Sequence, residues 1–374
     1  MTCLHLSGQD FKFHEKNSMS DSIILYLKTR KHNTVLKISV PPTKEDNSLE
    51  IERQMYNLVK TKLSHWSPHF LSPLHSGHCS DSAIIKMQHS SKPNEARLYK
   101  EWVMLRMLDI RHRLENIGKS WTAFRKTLPS TAQKTQWATA QYLFYEHPEW
   151  KDKIHQLYFV QTPRMMGEPL QDFLQRKDLP KDVLRQILVQ MSQALAVLAV
   201  HKIMHNDLHM FNVKIQTFKT LQKIEYTFPK KVIFCTKFVV TIFDFDRSFK
   251  PGMINSGLET YQFCKMYGSC NKFIAKWDFY SVLTNMLITT EDNSNMQDER
   301  KELLNILGRL YHARKELRVG SDAIQGLPCT CNKIDKPNDM CVECTQKSLH
   351  KLITPRTYFL RNIDRIKNQC GFQS

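Results

Sequence analysis

Long apolar runs are missing from this sequence: none approaches the roughly 18 residues needed to cross a bilayer, so no membrane span is expected. The opening stretch, Met1 to Ser7, has no basic flank leading into an apolar region, which argues against a secretory signal. Cysteine is sparse, ten in 374 residues, well below the density of a disulfide scaffold. Reduced thiols are therefore the expectation, some of them available to a metal. Gly8 is the only glycine ahead of the first strand candidates, and no G-x-G-x-x-G occurs there, so a glycine-rich phosphate cradle is excluded. Acidic residues are also in deficit, 36 against 54 basic ones, for a net charge of +18. No internal repeat or low-complexity tract is present. What remains is an intracellular, cytoplasmic globular protein, long enough for one large two-lobed domain or two smaller ones. Its charge suits polyanionic partners: acidic or phosphorylated proteins, nucleic acid or anionic lipid. A merely basic soluble protein would carry the same excess.

Ser22 to Lys28 and Thr34 to Val40 are β-branched and apolar-rich, with a turn-like stretch between them, and are expected to form an antiparallel pair. Pro41 and Pro42 stop the second strand. From Ser48 to Leu63 apolar residues recur near helical spacing, with Asn47 or Ser48 as cap. Residues 89–153 contain more basic than acidic side chains, with Trp102, Trp121, Trp137 and Trp150 interspersed. Basic residues with aromatics suit nucleic acid; the plainer reading is an inserted subdomain packed on its tryptophans. Arg97 to Leu114 and Thr131 to Tyr145 look helical within it, and His155 to Gln161 looks like a strand. An amphipathic helix follows Pro180 and Asp182, with Leu184, Ile187, Leu188, Met191, Leu195 and Leu198 on one face. Strand candidates then occur at Asn212 to Ile215, Lys231 to Cys235 and Phe238 to Phe243, with an extra hairpin expected over Phe218 to Thr236. Strands come first and helices later, which suggests an α+β protein of two lobes.

The segment His205-Asn206-Asp207-Leu208-His209-Met210-Phe211-Asn212 has the pattern H-x-D-x-x-x-x-N, and Asp244-Phe245-Asp246 follows at the end of an apolar strand. Phosphoryl transfer needs this set: one carboxylate to orient and deprotonate a hydroxyl, another to hold magnesium, and a carboxamide oxygen to complete the metal's coordination. Here the sequence resembles the protein-kinase superfamily over most of its length. The resemblance implies a small β-rich N-lobe over 1–161, with the insertion at 89–153, and a larger, mainly helical C-lobe over 162–374. It implies ATP and Mg2+ as cofactors, with Asp207 as the catalytic aspartate and Asn212 and Asp244 as magnesium ligands. Asp246 is a further candidate ligand, and His209 is counted with the catalytic residues. Val35-Leu36-Lys37-Ile38 matches the strand whose lysine grips the nucleotide phosphates, with Glu52 as its partner and Glu50 in reserve. Thr162 falls near the gatekeeper position of the hinge, and Asp278 matches a buried aspartate that braces the catalytic loop.

Three departures mark the site as atypical. The glycine-rich loop is absent, which leaves a pseudokinase or scaffold open. Asn206 stands where many kinases have the arginine that pairs with a phosphorylated activation loop, so control by such phosphorylation is less expected. His209 and Asp246 resemble features of haspin-like kinases and of aminoglycoside and choline phosphotransferases. Asn206-Asp207-Leu208-His209 with Asp244-Phe245-Asp246-Arg247-Ser248 looks most like serine/threonine kinases of large cytoplasmic DNA viruses of the iridovirus kind. That likeness implies a viral protein in the host cytoplasm and the virion, with acidic or phosphorylated protein substrates. A small-molecule phosphotransferase is the alternative.

Cys329-Thr330-Cys331 and Cys341-Val342-Glu343-Cys344 place two close thiol pairs in a loop-like stretch. Four thiolates satisfy tetrahedral zinc; free thiols or a disulfide are the other readings. A structural zinc site predicts about one equivalent of zinc in metal analysis of the purified protein, and less than about half an equivalent rejects it.

Overall fold

The computed structural model describes residues 6, 10–14, 22–28, 33–40, 47–151, 156–259, 272–308, 310, 346, 347 and 349–366. Cys329, Cys331, Cys341 and Cys344 lie outside these residues, as do Gly8, Pro41 and Pro42. The chain is α+β, with a β-sheet N-terminal region and a mainly helical C-terminal region. It divides into two units, Met1–Arg53 with Pro73–Arg164, and Gln54–Ser72 with Met165–Ser374.

The first unit is built on a five-stranded antiparallel sheet: β1 (Asp10–Phe13), β2 (Ile23–Lys28), β3 (Asn33–Ser39), β4 (His75–Ser80) and β5 (Gln156–Pro163), in the order β1-β2-β3-β5-β4. Alternation along β2 and β3 gives the sheet two unlike faces. Leu25, Leu27, Leu36 and Ile38 point into the core, whereas Ile24, Tyr26, Val35 and Lys37 lie on the partly exposed side. The pairing of β3 with β5 sets Val160 opposite Lys37 and Thr162 opposite Val35. Helix α1 (Ser48–Thr61) starts at the expected place and is shared between the two units, Glu52 lying in the first and Tyr56 in the second.

The tryptophan-bearing insertion supplies the second layer of the first unit. Helices α2 (Pro93–Asn116) and α3 (Gln136–Tyr145) bring Leu98, Trp102, Val103 and Leu143 into one apolar cluster with Leu25, Leu36 and Ile38. Trp102 and Trp150 are buried in it, and Trp121 and Trp137 pack against it. Trp102 also donates its indole N–H to Asp81 at 3.1 Å. Trp102 and Trp150 are thus packing residues, whereas Trp121 and Trp137 are only partly buried.

The second unit is organised around helix α4 (Val183–Val200) and a long hairpin, β7 (Val213–Tyr226) and β8 (Val232–Ile242), with the two-residue β6 (Glu168–Pro169) beside it. The two strands expected at 231–235 and 238–243 are one, and the expected extra hairpin is the outer end of the same ladder beyond an irregularity between Thr217 and Gln222. Gly167, at φ 94°, precedes β6, and a Cβ there would stand 2.1 Å from the Ile215 carbonyl oxygen, so only glycine fits. Helices α5 (Trp277–Thr289), α6 (Gln297–Leu307) and α7 (Pro355–Ile366) complete the described part, with α7 packed on α4. Asp182 does not cap α4 with its own side chain; Glu299 of α6 accepts from its backbone N–H at 2.9 Å.

Helix α4 departs from the amphipathic expectation. By length and composition alone it could cross a membrane, but 83% of it is buried inside the protein, as a core helix would be. Its polar stripe faces the hairpin. Gln190 donates to the Phe238 carbonyl at 2.7 Å and accepts from the Val240 N–H at 3.2 Å. Gln186 accepts from Thr236, and Gln193 donates to the carbonyls of Trp66 and Phe228. Each of these buried amides meets at least one backbone or hydroxyl partner, although the Oε1 of Gln193 accepts no hydrogen bond.

Cys79 and Cys235 are each disulfide-bonded, unlike the reduced thiols expected. Low cysteine density says how few bridges a chain depends on, not whether particular sulfurs meet.

His69 is fully buried, with Nδ1 at 2.9 Å from the Val240 carbonyl and Nε2 at 2.8 Å from the Tyr226 hydroxyl. A carbonyl only accepts, so Nδ1 carries the proton and Nε2 accepts from tyrosine. Burial pushes the His69 pKa down to about 4 from 6.5, against the pull of the Val240 carbonyl. Between those values the unfolded chain binds the extra proton, so stability falls as pH drops from about 6.5 to about 4. The loss should be on the order of 3 kcal/mol in denaturant titrations, and His69→Gln should flatten that part of the profile. Gln190→Ala should cost about 1–3 kcal/mol, since it strands the buried Val240 N–H, whereas the Phe238 carbonyl keeps the Thr236 hydroxyl at 3.2 Å.

Candidate active site

The chemistry-bearing side chains form two constellations, one in each unit. In the first, Lys37 projects from the middle of β3 and its Nζ lies 2.8 Å from Glu52 Oε2. Glu50, on nearly the opposite face of α1, is held instead by Arg53 in a two-pronged contact at 2.6 and 2.7 Å. Thr162 is buried on β5, on the same sheet face as Lys37.

The second constellation is the loop after α4. The carboxylate of Asp278, at the start of α5, accepts from the backbone N–H of His205 at 2.7 Å and of Asn206 at 3.0 Å. His205 Nε2 lies 2.9 Å from the Phe243 carbonyl, so it donates there, and its ring packs on Phe245 at 4.8 Å. Asn212 donates its amide to the Asp207 carbonyl at 2.8 Å and, more weakly, to Asp207 Oδ2 at 3.4 Å. The base of the hairpin joins the two motifs: Phe243 N–H donates to the Asn212 carbonyl at 3.2 Å, with Asp244 next in the chain. Asp244 takes a left-handed backbone, φ 65°, and its N–H is 3.4 Å from the Tyr56 hydroxyl. Phe245 is fully buried, with Tyr56 at 5.7 Å and Phe70 at 6.2 Å between ring centroids.

Electrostatics concentrate on Asp207. Burial holds its carboxyl well above the usual range, and the negative charges of Asp246 and Asp244 add to this, while Arg247 and the Asn212 amide oppose it. Burial also lowers the pKa of His205 and His209, so both imidazoles are held toward the neutral form. His209 Nε2 lies 3.7 Å from Asp207 Oδ1, too far for a hydrogen bond. Asp278 is raised by burial, against the pull of His205 and of the two N–H groups it accepts from.

Among the described residues, no three His, Cys, Asp or Glu side chains stand close enough to hold a metal by themselves. Magnesium does not need such a cage, because it is commonly held by one or two carboxylates together with phosphate oxygens and water. The donor chemistry here fits: an Asp207 carboxyl raised by burial and by the charges of Asp246 and Asp244, a carboxamide, and a buried Asp207 Oδ1 that accepts no hydrogen bond. All are hard oxygen donors.

Sequence reasoning missed Asn255, which donates to the carbonyls of Asp246 and Ser248, and it gave Tyr56 no part at the motif. Helical spacing from Glu52 could have flagged Tyr56. No spacing rule ties Asn255 to the motif.

No protein-family model matches the chain, and no curated protein matches it. Among solved structures, a crystal structure of a kinase domain is similar at 9% identity, covering 78% of this chain and 76% of that one, with a TM-score of 0.35. The structure of the Cydia pomonella granulovirus kinase PK-1 is similar at 13% identity, covering 94% and 93%, with a TM-score of 0.38. Likenesses at this level carry no functional argument.

An amide at position 278 offers one acceptor to two N–H groups. Asp278→Asn should therefore destabilise the loop by about 1.5–3 kcal/mol. Hydrogen exchange at the amides of His205 and Asn206 should accelerate; unchanged exchange would show that the carboxylate does not hold the loop.

Proposed function

We propose that this chain is a protein kinase that transfers the γ-phosphoryl group of ATP to serine and threonine hydroxyls of proteins. One observation carries the reading: the loop 205–212 presents Asp207 and Asn212 hydrogen-bonded to each other, and Phe243, the residue before Asp244, donates its N–H to the Asn212 carbonyl across the base of one hairpin. In this reading Lys37, oriented by Glu52, binds the nucleotide phosphates. Thr162 borders the nucleotide, and Asn212 and Asp244, with Asp246 in support, hold magnesium. Bound magnesium would neutralise phosphate charge as it develops. Asp207 orients the substrate hydroxyl and takes its proton; the hydroxyl oxygen forms its bond to the γ-phosphorus as the bond to the bridging oxygen breaks and ADP leaves. Burial makes Asp207 more basic than an exposed carboxylate.

The net charge of +18 supports acidic or phosphorylated protein substrates, and it leaves nucleic-acid contact through the basic surface as an accompanying property. A viral origin and a cytoplasmic site of action follow from the resemblance in the motifs around Asp207 and Asp244. The small-molecule reading draws on His209 and Asp246, and the pseudokinase reading on the missing glycine-rich loop.

Radiolabelled ATP distinguishes these readings. Label should enter an acidic model protein in the presence of magnesium and not choline or an aminoglycoside. Asp207→Ala should reduce transfer by about 10²–10⁴-fold with its circular dichroism unchanged. Lys37→Met should raise KM for ATP. Label in the small molecules alone would favour the alternative, and no turnover by the unaltered protein would favour the scaffold.

A further inference from the structure

The turn that follows Asp244 is fastened in an unusual way. Three successive carbonyls, those of Asp246, Arg247 and Ser248, each receive a hydrogen bond from an asparagine side chain. Asn255 Nδ2 reaches Asp246 O and Ser248 O, both at 3.0 Å, and Asn206 Nδ2 reaches Arg247 O at 3.0 Å. All three partners are carbonyl oxygens, which only accept, so both carboxamides must present their NH2 groups. Asn255 is fully buried and Asn206 nearly so. In both, the buried Oδ1 accepts no hydrogen bond, so donation is what each side chain contributes. A buried amide half-used in this way costs stability, and its presence points to a demand on the turn itself.

The rest of the turn agrees. Met204 and Phe249 exchange two backbone hydrogen bonds at 2.9 Å, and the Ser248 N–H donates to Phe245 O at 3.1 Å. Asn206 and Asp244 both hold left-handed backbones, φ 66° and 65°. Asparagine adopts that conformation more readily than most residues, whereas an arginine at 206 would resist it. Asn206 is thus placed by its backbone, through Asp278, to aim its amide at Arg247 O.

We propose that Asn206 and Asn255 are positioning residues for the metal site: they clamp the turn 244–249 so that the carboxylates of Asp244 and Asp246 are set for a divalent cation before nucleotide arrives. The proposal rests on the phosphotransfer reading and extends it. The clamp acts through the orientation of the ligands, as outer partners of metal sites do, and such partners typically contribute about 10–100-fold in metal affinity.

The test uses the full chain and two readouts. One is the magnesium concentration giving half-maximal transfer. The other is the affinity for Mn2+ in the presence of ADP, measured by the loss of free Mn2+ signal in electron paramagnetic resonance, which needs no turnover. Asn206→Gly keeps the left-handed backbone and removes the donor. Asn255→Asp keeps the size and removes the donor, and Asn255→Ala removes both. Each variant should weaken Mn2+ binding and raise the magnesium requirement by about 10-fold or more, with Asn255→Asp no better than Asn255→Ala. Thermal midpoints without metal or nucleotide control for folding. Unchanged Mn2+ affinity in Asn206→Gly and Asn255→Asp overturns the proposal, as does a lower rate with an unchanged magnesium requirement. If the unaltered protein binds Mn2+ with ADP but transfers nothing, the phosphotransfer reading fails while the clamp is still judged on binding. If it does not bind Mn2+ with ADP at all, both fall.

Discussion

The buried carboxylate of Asp278 is the constraint on which the catalytic-looking loop depends. A carboxylate removed from water must find donors, and the two it finds are consecutive backbone N–H groups, those of His205 and Asn206. Accepting from both fixes the chain direction immediately before Asp207. The consequences spread from there. His205 is turned so that its ring donates to Phe243 O, and Asn206 is held in the left-handed conformation from which its amide reaches Arg247 O. Asp207 is then presented in a site dry enough to raise its pKa, with Asn212 at its side.

The remaining organisation of this unit supports that loop. The hairpin β7–β8 begins directly after Asn212 and ends directly before Phe243, so one ladder brings together two motifs far apart in sequence. Helix α4 anchors the hairpin from behind through its glutamines, and His69 anchors it through Val240 and Tyr226. Phe245, packed among Tyr56, Phe70 and His205, ties the second motif to helix α1 and to the loop alike. In the first unit the analogous role falls to the insertion: α2 and α3 cover one face of the sheet, and Lys37 lies on the other.

Local patterns were the legible part of this protein. Alternating burial in β2 and β3 and the short interval between Asp207 and Asn212 are properties of neighbouring residues. Patterns of this kind say which side chains share a face. They do not say what will cover it, so α4 read as an amphipathic helix with one apolar face, although nearly all of it is buried, and the four tryptophans of the insertion left both a packing and a nucleic-acid reading open.

The sequence by itself therefore determined the two strands, the loop and the identities of the candidate acids, because backbone geometry ties those residues together over a few positions. Only the tertiary structure decided that Glu52 and not Glu50 meets Lys37, since residues two apart on a helix lie on nearly opposite faces and packing buries the one that carries Glu52. It also decided that the polar stripe of α4 is an interface, and that Asn255 holds the turn behind Asp244. These depend on segments distant in the chain, and hydrogen-bond demand selects such partners only once the surrounding groups have left water.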